Sequence, residues 1–266
     1  MSDPFALGYG QVALAALLIL INGALSLRLQ LGLERQMLVA AARMVVQLLL
    51  IGFVLTSIFD LERAWAVVGL MLIMVIIASR AAIQRTSLRY PGVGWNSFLA
   101  IATAATVSVG LGLTVVLQID PWWTPRFAIP VLGMVLGNAL NGVSLGVDRL
   151  AARLDADRDT IDALLALGAT RWEASRAIVQ DATRTGMTPI LNAMTIAGVV
   201  SLPGMMTGQI LAGASPIEAV KYQIVIFFLI AATTALGTVL AVLLGVRRLF
   251  TPAHQFRADQ LRAAGG

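Results

Sequence analysis

The chain has 266 residues, 58% of them hydrophobic and only 12% charged, with a formal net charge of +5. Soluble domains carry about 25% charged residues, so this composition excludes a water-soluble globular fold; the basic excess reads as arginine on the cytosolic side of a membrane, not as a nucleic-acid surface. There is no cysteine and a single histidine, His254, which excludes a disulfide, a thiolate nucleophile and the usual His- or Cys-rich metal site within one subunit. The ten methionines are either soft donors or residues that fill gaps between helices.

A membrane-spanning helix needs about 20 mostly apolar residues. Seven segments qualify, at roughly 8–27, 37–58, 64–80, 97–117, 127–147, 187–213 and 222–246. The first follows Asp3 with no basic residue before it and runs longer than a signal-peptide core, so it does not read as a signal peptide. Asp60 to Arg63 and Asp120 to Pro125 are short connections, and Trp122 and Trp123 in the second suit a membrane interface. With the N-terminus outside, fifteen arginines fall on the cytosolic side: Arg28, Arg35, Arg80, Arg85, Arg89, six from Arg149 to Arg184, Arg247, Arg248, Arg257 and Arg262. Only Arg63, Arg126 and Lys221 fall outside. The expected fold class is an all-α integral membrane protein, a polytopic bundle of about seven transmembrane helices. Its N-terminus is outside, its C-terminus is in the cytosol, and residues 247–266 form a polar cytosolic tail.

Polar groups within these spans mark a candidate translocation path. Arg43 and Gln47 lie one turn apart in the second span. Arg43 is near the cytosolic end, so it reads either as a functional intramembrane charge or as a side chain snorkelling to water. The fifth span holds Asn138 and Asn141 among Gly133, Gly137, Gly142 and Gly146. Its two Gly-x-x-x-Gly spacings let helices approach closely; the asparagines then either bond across that contact or face a substrate.

The polar stretch 148–186 is too short for a catalytic domain and is a candidate for docking another protein. It reads as two short helices with a corner. Asp159 and Asp162 offer carboxylates to the free N–H groups of a helix start, and Ile161, Leu164 and Leu165 form an apolar stripe. Gly168 ends that helix, and Thr170-Arg171-Trp172-Glu173 is a capping box that starts the next. Such a corner fits a docking element or an amphipathic hairpin on the lipid surface.

The sixth span contains Pro203 and Gly204, which interrupt the helical ladder, so it is expected to be kinked, broken or re-entrant. Irregular backbone at membrane depth must be covered by protein or by a watery cavity. Ser201, Met205, Met206, Thr207 and Gln209 then line the opening; the alternative is a kink with Gly204 and Gly208 at a helix contact.

The run from Asp162 through Ala169 to Glu173 resembles the cytosolic coupling loop of ABC transporter permeases, with Asp162-Ala163-Leu164 where that loop has Glu-Ala-Ala. The Ser201–Gly208 run and the Ser215–Gln223 stretch closely resemble the FetB-like family of iron-export ABC permeases, whose plant members are linked to aluminium tolerance. That resemblance extends over nearly the whole chain, including Arg43-Met-Val-Val-Gln47 and Asn138-Ala-Leu-Asn141. It implies a single permease domain over residues 1–266 whose coupling loop fits a separate cytosolic ATP-binding subunit, with Asp162, Gly168, Ala169, Thr170, Arg171, Trp172 and Glu173 as docking residues.

A P-loop requires Gly-Lys-Ser/Thr, and the only lysine, Lys221, stands between Val220 and Tyr222. The energy source must therefore be another chain or an ion gradient; the resemblance implies the former, a non-catalytic subunit that binds no cofactor, with ATP and Mg²⁺ held by the partner. Two-fold symmetry is the commonest oligomeric arrangement, which gives a homodimer in the plasma (inner) membrane. No acidic residue lies well inside a span, so an ion crossing here meets Asn, Gln, Thr, Met and backbone oxygens. The same absence weighs against the rival reading, a secondary transporter driven by a proton or sodium gradient. A third reading is a scaffold that recruits a cytosolic ATPase without transporting anything.

Overall fold

The computed structural model describes residues 8–61, 63–84 and 86–263; Asp3, Arg85 and the last residues of the 247–266 tail lie outside them. The chain divides into two compact units, residues 1–61 and 62–266. The first unit is a helical hairpin of α1 (Tyr9–Arg28) and α2 (Glu34–Leu61). Its turn is fixed by Ser26, which is buried, accepts from the Leu33 N–H and donates to the Glu34 carboxylate, each at 3.1 Å.

The second unit holds α3 (Ala64–Gln84), α4 (Val93–Leu111), α5 (Pro125–Ala156), α6 (Arg158–Ala166), α7 (Arg171–Ile196), α8 (Gly204–Leu211) and α9 (Pro216–Leu249). A π-helical turn, Gly112–Val116, extends α4, and the two-residue strands β1 (Leu88–Arg89) and β2 (Arg262–Ala263) pair antiparallel. α5 and α9 form the centre, with α3, α4 and α7 packed around them.

Among the described residues six helices are long and apolar enough to cross a membrane: α1, α2, α3, α4 with its π turn, α5 and α9. At 1.5 Å per residue, the 32 residues of α5 and the 34 of α9 run about 48 and 51 Å, well beyond a hydrocarbon core of about 30 Å. The expected sixth span, 187–213, is two pieces. Its first part is the end of α7, whose Asp181, Arg184 and Asn192 lower its apolarity; its second is α8, after a turn over 197–203. Nor is 148–186 a loop holding two short helices. α5 continues unbroken to Ala156 and α7 begins at Arg171, so only α6 is short. The tail is also more ordered than its polarity suggests: Arg247 and Arg248 complete α9, and the chain then folds back to place β2 against β1.

The closest packing is the crossing of α5, α7 and α9. A Cβ added at Gly186 would lie 2.5 Å from the Gly142 carbonyl oxygen and 2.6 Å from Thr238 Cγ2. One added at Gly142 would meet Thr234 Cγ2 at 2.5 Å, and one at Gly146 would meet Thr238 Cγ2 at 2.7 Å. The 142/146 spacing therefore does bring backbones together, as small residues allow. The 133/137 spacing does not: Gly137 has nothing within 4 Å, and Gly133 only the tip of Met74 at 3.4 Å.

Candidate docking corner and translocation path

The corner forms where the sequence places it. The Gly168 N–H donates to the Leu165 carbonyl and the Ala169 N–H to the Leu164 carbonyl, both at 3.0 Å, which closes α6 with the paired bonds of a Schellman motif. Gly168 has φ +92°, the left-handed region that glycine enters without a Cβ penalty. The capping box is complete: the Glu173 N–H donates to Thr170 Oγ1 at 3.3 Å, and the Thr170 N–H donates to the Glu173 carboxylate at 2.8 Å. Those contacts, the Thr170 N–H and then the Thr170 hydroxyl, hold the Glu173 carboxyl below its ordinary range.

The start of α6 differs from expectation. The helix opens at Arg158 after Asp157 with no side-chain cap, and Asp159 sits inside the first turn, where its charge still suits the helix dipole. At the tip Leu167 is 86% exposed, and Asp162 and Trp172 are exposed beside it. The Arg171 guanidinium stacks over the Trp172 ring at 5.4 Å, and the Arg171 N–H donates to Nδ1 of His254 at 3.1 Å.

From this corner α7 runs without interruption into the three-helix crossing. Arg149 and Arg153 of α5 both reach Asp181 of α7, at 2.7 and 3.9 Å. Asp148 accepts the Ser87 N–H and hydroxyl at 2.6 and 2.7 Å, tying the α3–α4 connection to α5. Arg158 pairs with Asp155.

The candidate path residues fall into three groups. Arg43 and Gln47 are exposed on α2 in the first unit. Asn138 donates to the Met134 carbonyl of its own helix at 2.9 Å. Asn141 lines a cavity of about 270 Å³ between α5 and α7, with Ser144, Leu145, Asp148 and Pro189. The third group surrounds the break. The Ile196 carbonyl accepts the Val199, Val200 and Ser201 N–H groups, Gly198 turns the chain at φ +82°, and Pro203 caps α8. Met205, Met206, Thr207 and Gln209 are half-buried on α8, which packs on α9. A Cβ added at Gly204 or Gly208 would meet nothing within 4 Å, so neither glycine makes a close helix contact among the described residues of this chain.

Two features had no signal in local sequence. One is an apolar groove of about 380 Å³ bounded by α3, α4, the π turn and α5, lined by Met71, Val75, Thr106, Leu113, Trp122 and Leu132 among others. The other is Gln223, which is 92% buried with its carbonyl oxygen unpaired. Among the described residues no three His, Asp or Glu side chains come together as a metal site.

The sequence profile of UPF0014, an uncharacterised protein family, matches residues 9–250. A UPF0014 membrane protein of Synechocystis is 38% identical over 85% of this chain and 86% of its own length. The probable iron export permease protein FetB of Escherichia coli is 33% identical over 94% of this chain and 95% of its own. Protein ALUMINUM SENSITIVE 3 of Arabidopsis thaliana is 33% identical over 95% and 91%. No solved structure matches. The resemblance drawn from Ser201–Gly208 and the other motifs is thus borne out.

Proposed function

The chain belongs to the UPF0014 family of membrane proteins, and we propose that it is the permease subunit of an ABC exporter, driven by a separate ATP-binding subunit. The observation that carries this reading is the corner. A rigid turn with an exposed leucine at its tip continues directly into α7, and α7 crosses α5 and α9 where glycines leave no slack. Close-packed interiors transmit displacement instead of absorbing it. A push at Gly168 therefore moves the membrane helices as a body.

In this mechanism two copies of the chain form a homodimer in the plasma membrane. Two ATP-binding subunits dock at residues 158–182, on the cytosolic side. Closure of those subunits around ATP and Mg²⁺ displaces the corners, and the bundles rock about a path lined by Asn, Met, Thr and backbone groups. The relatives' names support a metal substrate, iron being the one named for FetB. The Asp148 carboxylate beside Asn141 already accepts from Ser87, and a donor set otherwise of amides, thioethers and hydroxyls favours a hydrated or chelated ion over a bare one.

The test is ATP turnover of the partner subunit, reconstituted in lipid with and without this chain. Leu167→Asp alters a side chain the fold does not bury, so the variant should stay monodisperse while stimulation is lost. Gly168→Trp should do the same by distorting the corner. Full stimulation with both variants refutes the docking assignment.

A further inference from the structure

The segment after α9 is built as a tie between distant elements. Phe250 is 2% exposed and its ring packs tilted against that of Phe256, the centroids 5.2 Å apart, while the Arg257 N–H returns to the Leu249 carbonyl at 2.9 Å. β2 then pairs with β1, so the same segment is bonded to the α3–α4 connection. Arg248 adds a bond from its guanidinium to the Pro91 carbonyl at 3.0 Å.

Between the two phenylalanines the chain makes a tight turn. The Thr251 N–H donates to the Gln255 carbonyl, the His254 N–H to the Thr251 carbonyl, and the Gln255 N–H to Thr251 Oγ1, at 2.9, 3.0 and 3.0 Å. His254 sits at the tip with φ +58°, a left-handed conformation that costs a histidine conformational energy and persists only where surrounding bonds impose it. The bonded turn aims Nδ1 at the first N–H of α7, a residue 83 positions away in the chain. That N–H is one of the donors a helix start leaves without an internal partner.

We propose that residues 250–263 are a strut that carries displacement of the docking corner directly to α9 and to the α3–α4 connection, and that His254 is its positioning residue. The inference rests on the docking reading above. Without the strut, a push at the corner reaches the bundle only through α6 into α5 and along α7. With it, the first turn of α7, the end of α9 and the β1–β2 ribbon move together. The role requires a hydrogen-bond acceptor at the place of Nδ1 and a residue that tolerates positive φ; it does not require an imidazole.

Asparagine meets both requirements, because its side-chain oxygen falls near the place of Nδ1 and it enters the left-handed region readily. Glycine meets only the second. The experiment compares wild type, His254→Asn and His254→Gly, each checked for monodispersity, by titrating the chain against the ATP-binding subunit in lipid. His254→Gly should lower maximal stimulated turnover about fivefold, the worth of one hydrogen bond, while the half-saturating concentration stays within about twofold. His254→Asn should stay within about twofold of wild type in both. Full turnover in His254→Gly, equal loss in both variants, or loss confined to the half-saturating concentration would each overturn the strut. A second variant needs no change at His254. Arg89→Cys with Arg262→Cys, in a chain with no other cysteine, links β1 to β2 on oxidation. Turnover should survive that link, and its abolition by oxidation would mean that the segment must open. If wild type itself gave no stimulation, the docking reading would fail and the strut with it; normal wild-type stimulation with an unaffected His254→Gly rejects the strut alone.

Discussion

The α5–α7–α9 crossing predicts different outcomes for two glycines that differ only in what faces them. Gly→Ala in a helix interior stabilises by about 0.5–1 kcal/mol where there is room. There is none at Gly146, where a Cβ would meet Thr238 Cγ2 at 2.7 Å, with the Ala182 carbonyl at a tolerable 3.4 Å. Thr238 is β-branched and fully buried, so its methyl cannot swing away. Overpacking costs about 1–3 kcal/mol, and Gly146→Ala should lose about 1 kcal/mol net. Thr238→Ser removes the opposing methyl, so Gly146→Ala made in that background should cost nothing or stabilise slightly.

Gly186→Ala meets the same methyl at 2.6 Å but also the Gly142 carbonyl oxygen at 2.5 Å, which is backbone and cannot be trimmed. Its cost should lie near the top of the overpacking range, about 2 kcal/mol net, and Thr238→Ser should relieve only part of it. The assay is a double-mutant cycle of thermal midpoints in one detergent at one heating rate, where 1 kcal/mol corresponds to about 2–4 °C in a domain of this size. Gly186→Ala should lower the midpoint by roughly 4–8 °C. Equal rescue of both alanines by Thr238→Ser, or no loss in either, would refute the crossing.

At the corner, Thr170→Ala removes the N-cap and should cost about 1 kcal/mol, read as a lower thermal midpoint. Because Glu173 holds its proton more weakly when folded than when unfolded, its contribution is complete above its ordinary value of 4.5 and fades as pH falls through the lower folded value. The midpoint gap between wild type and Glu173→Gln should therefore be constant at neutral pH and shrink below pH 4.5. On α5, Asp148→Ala should cost about 1–2 kcal/mol, because it leaves the Ser87 donors without their carboxylate. Its neighbour Arg149 makes an exposed ion pair, so Arg149→Ala should cost under about 1 kcal/mol.

Much of the fold was legible because its signals are local. Runs of about 20 apolar residues mark the six long helices. Gly168 and the Thr170–Glu173 box mark the corner, since a left-handed C-cap and a reciprocal N-cap are each made by residues within a few positions. What escaped depends on distant residues. The α7 helix was hidden because its polar first half and its Pro189 dilute the apolar count, though it is one continuous helix. Gly186 has no Gly-x-x-x-Gly partner in its own helix; its closeness to Gly142 exists only once α5 and α7 cross. The return of the C-terminal segment has no motif at all, because His254 and Arg171 are brought together by tertiary structure. Polarity inside an apolar span marks Arg43, Gln47, Asn138 and Asn141, and the Pro203–Gly204 break marks the group around α8; both signals locate cost but not convergence. The structure places these residues on α2, on α5 and around α8.

If a second chain drives this one by gripping the bend at the tip of α6, a photo-crosslinker placed in that bend should capture it. A photoreactive amino acid replaces Leu167 in one variant and Leu236, exposed on apolar α9, in another, each in membranes that also contain the ATP-binding subunit. Position 167 should capture that subunit and position 236 should not. Capture from 236 alone, or none from 167 while the two chains still purify together, would contradict that docking.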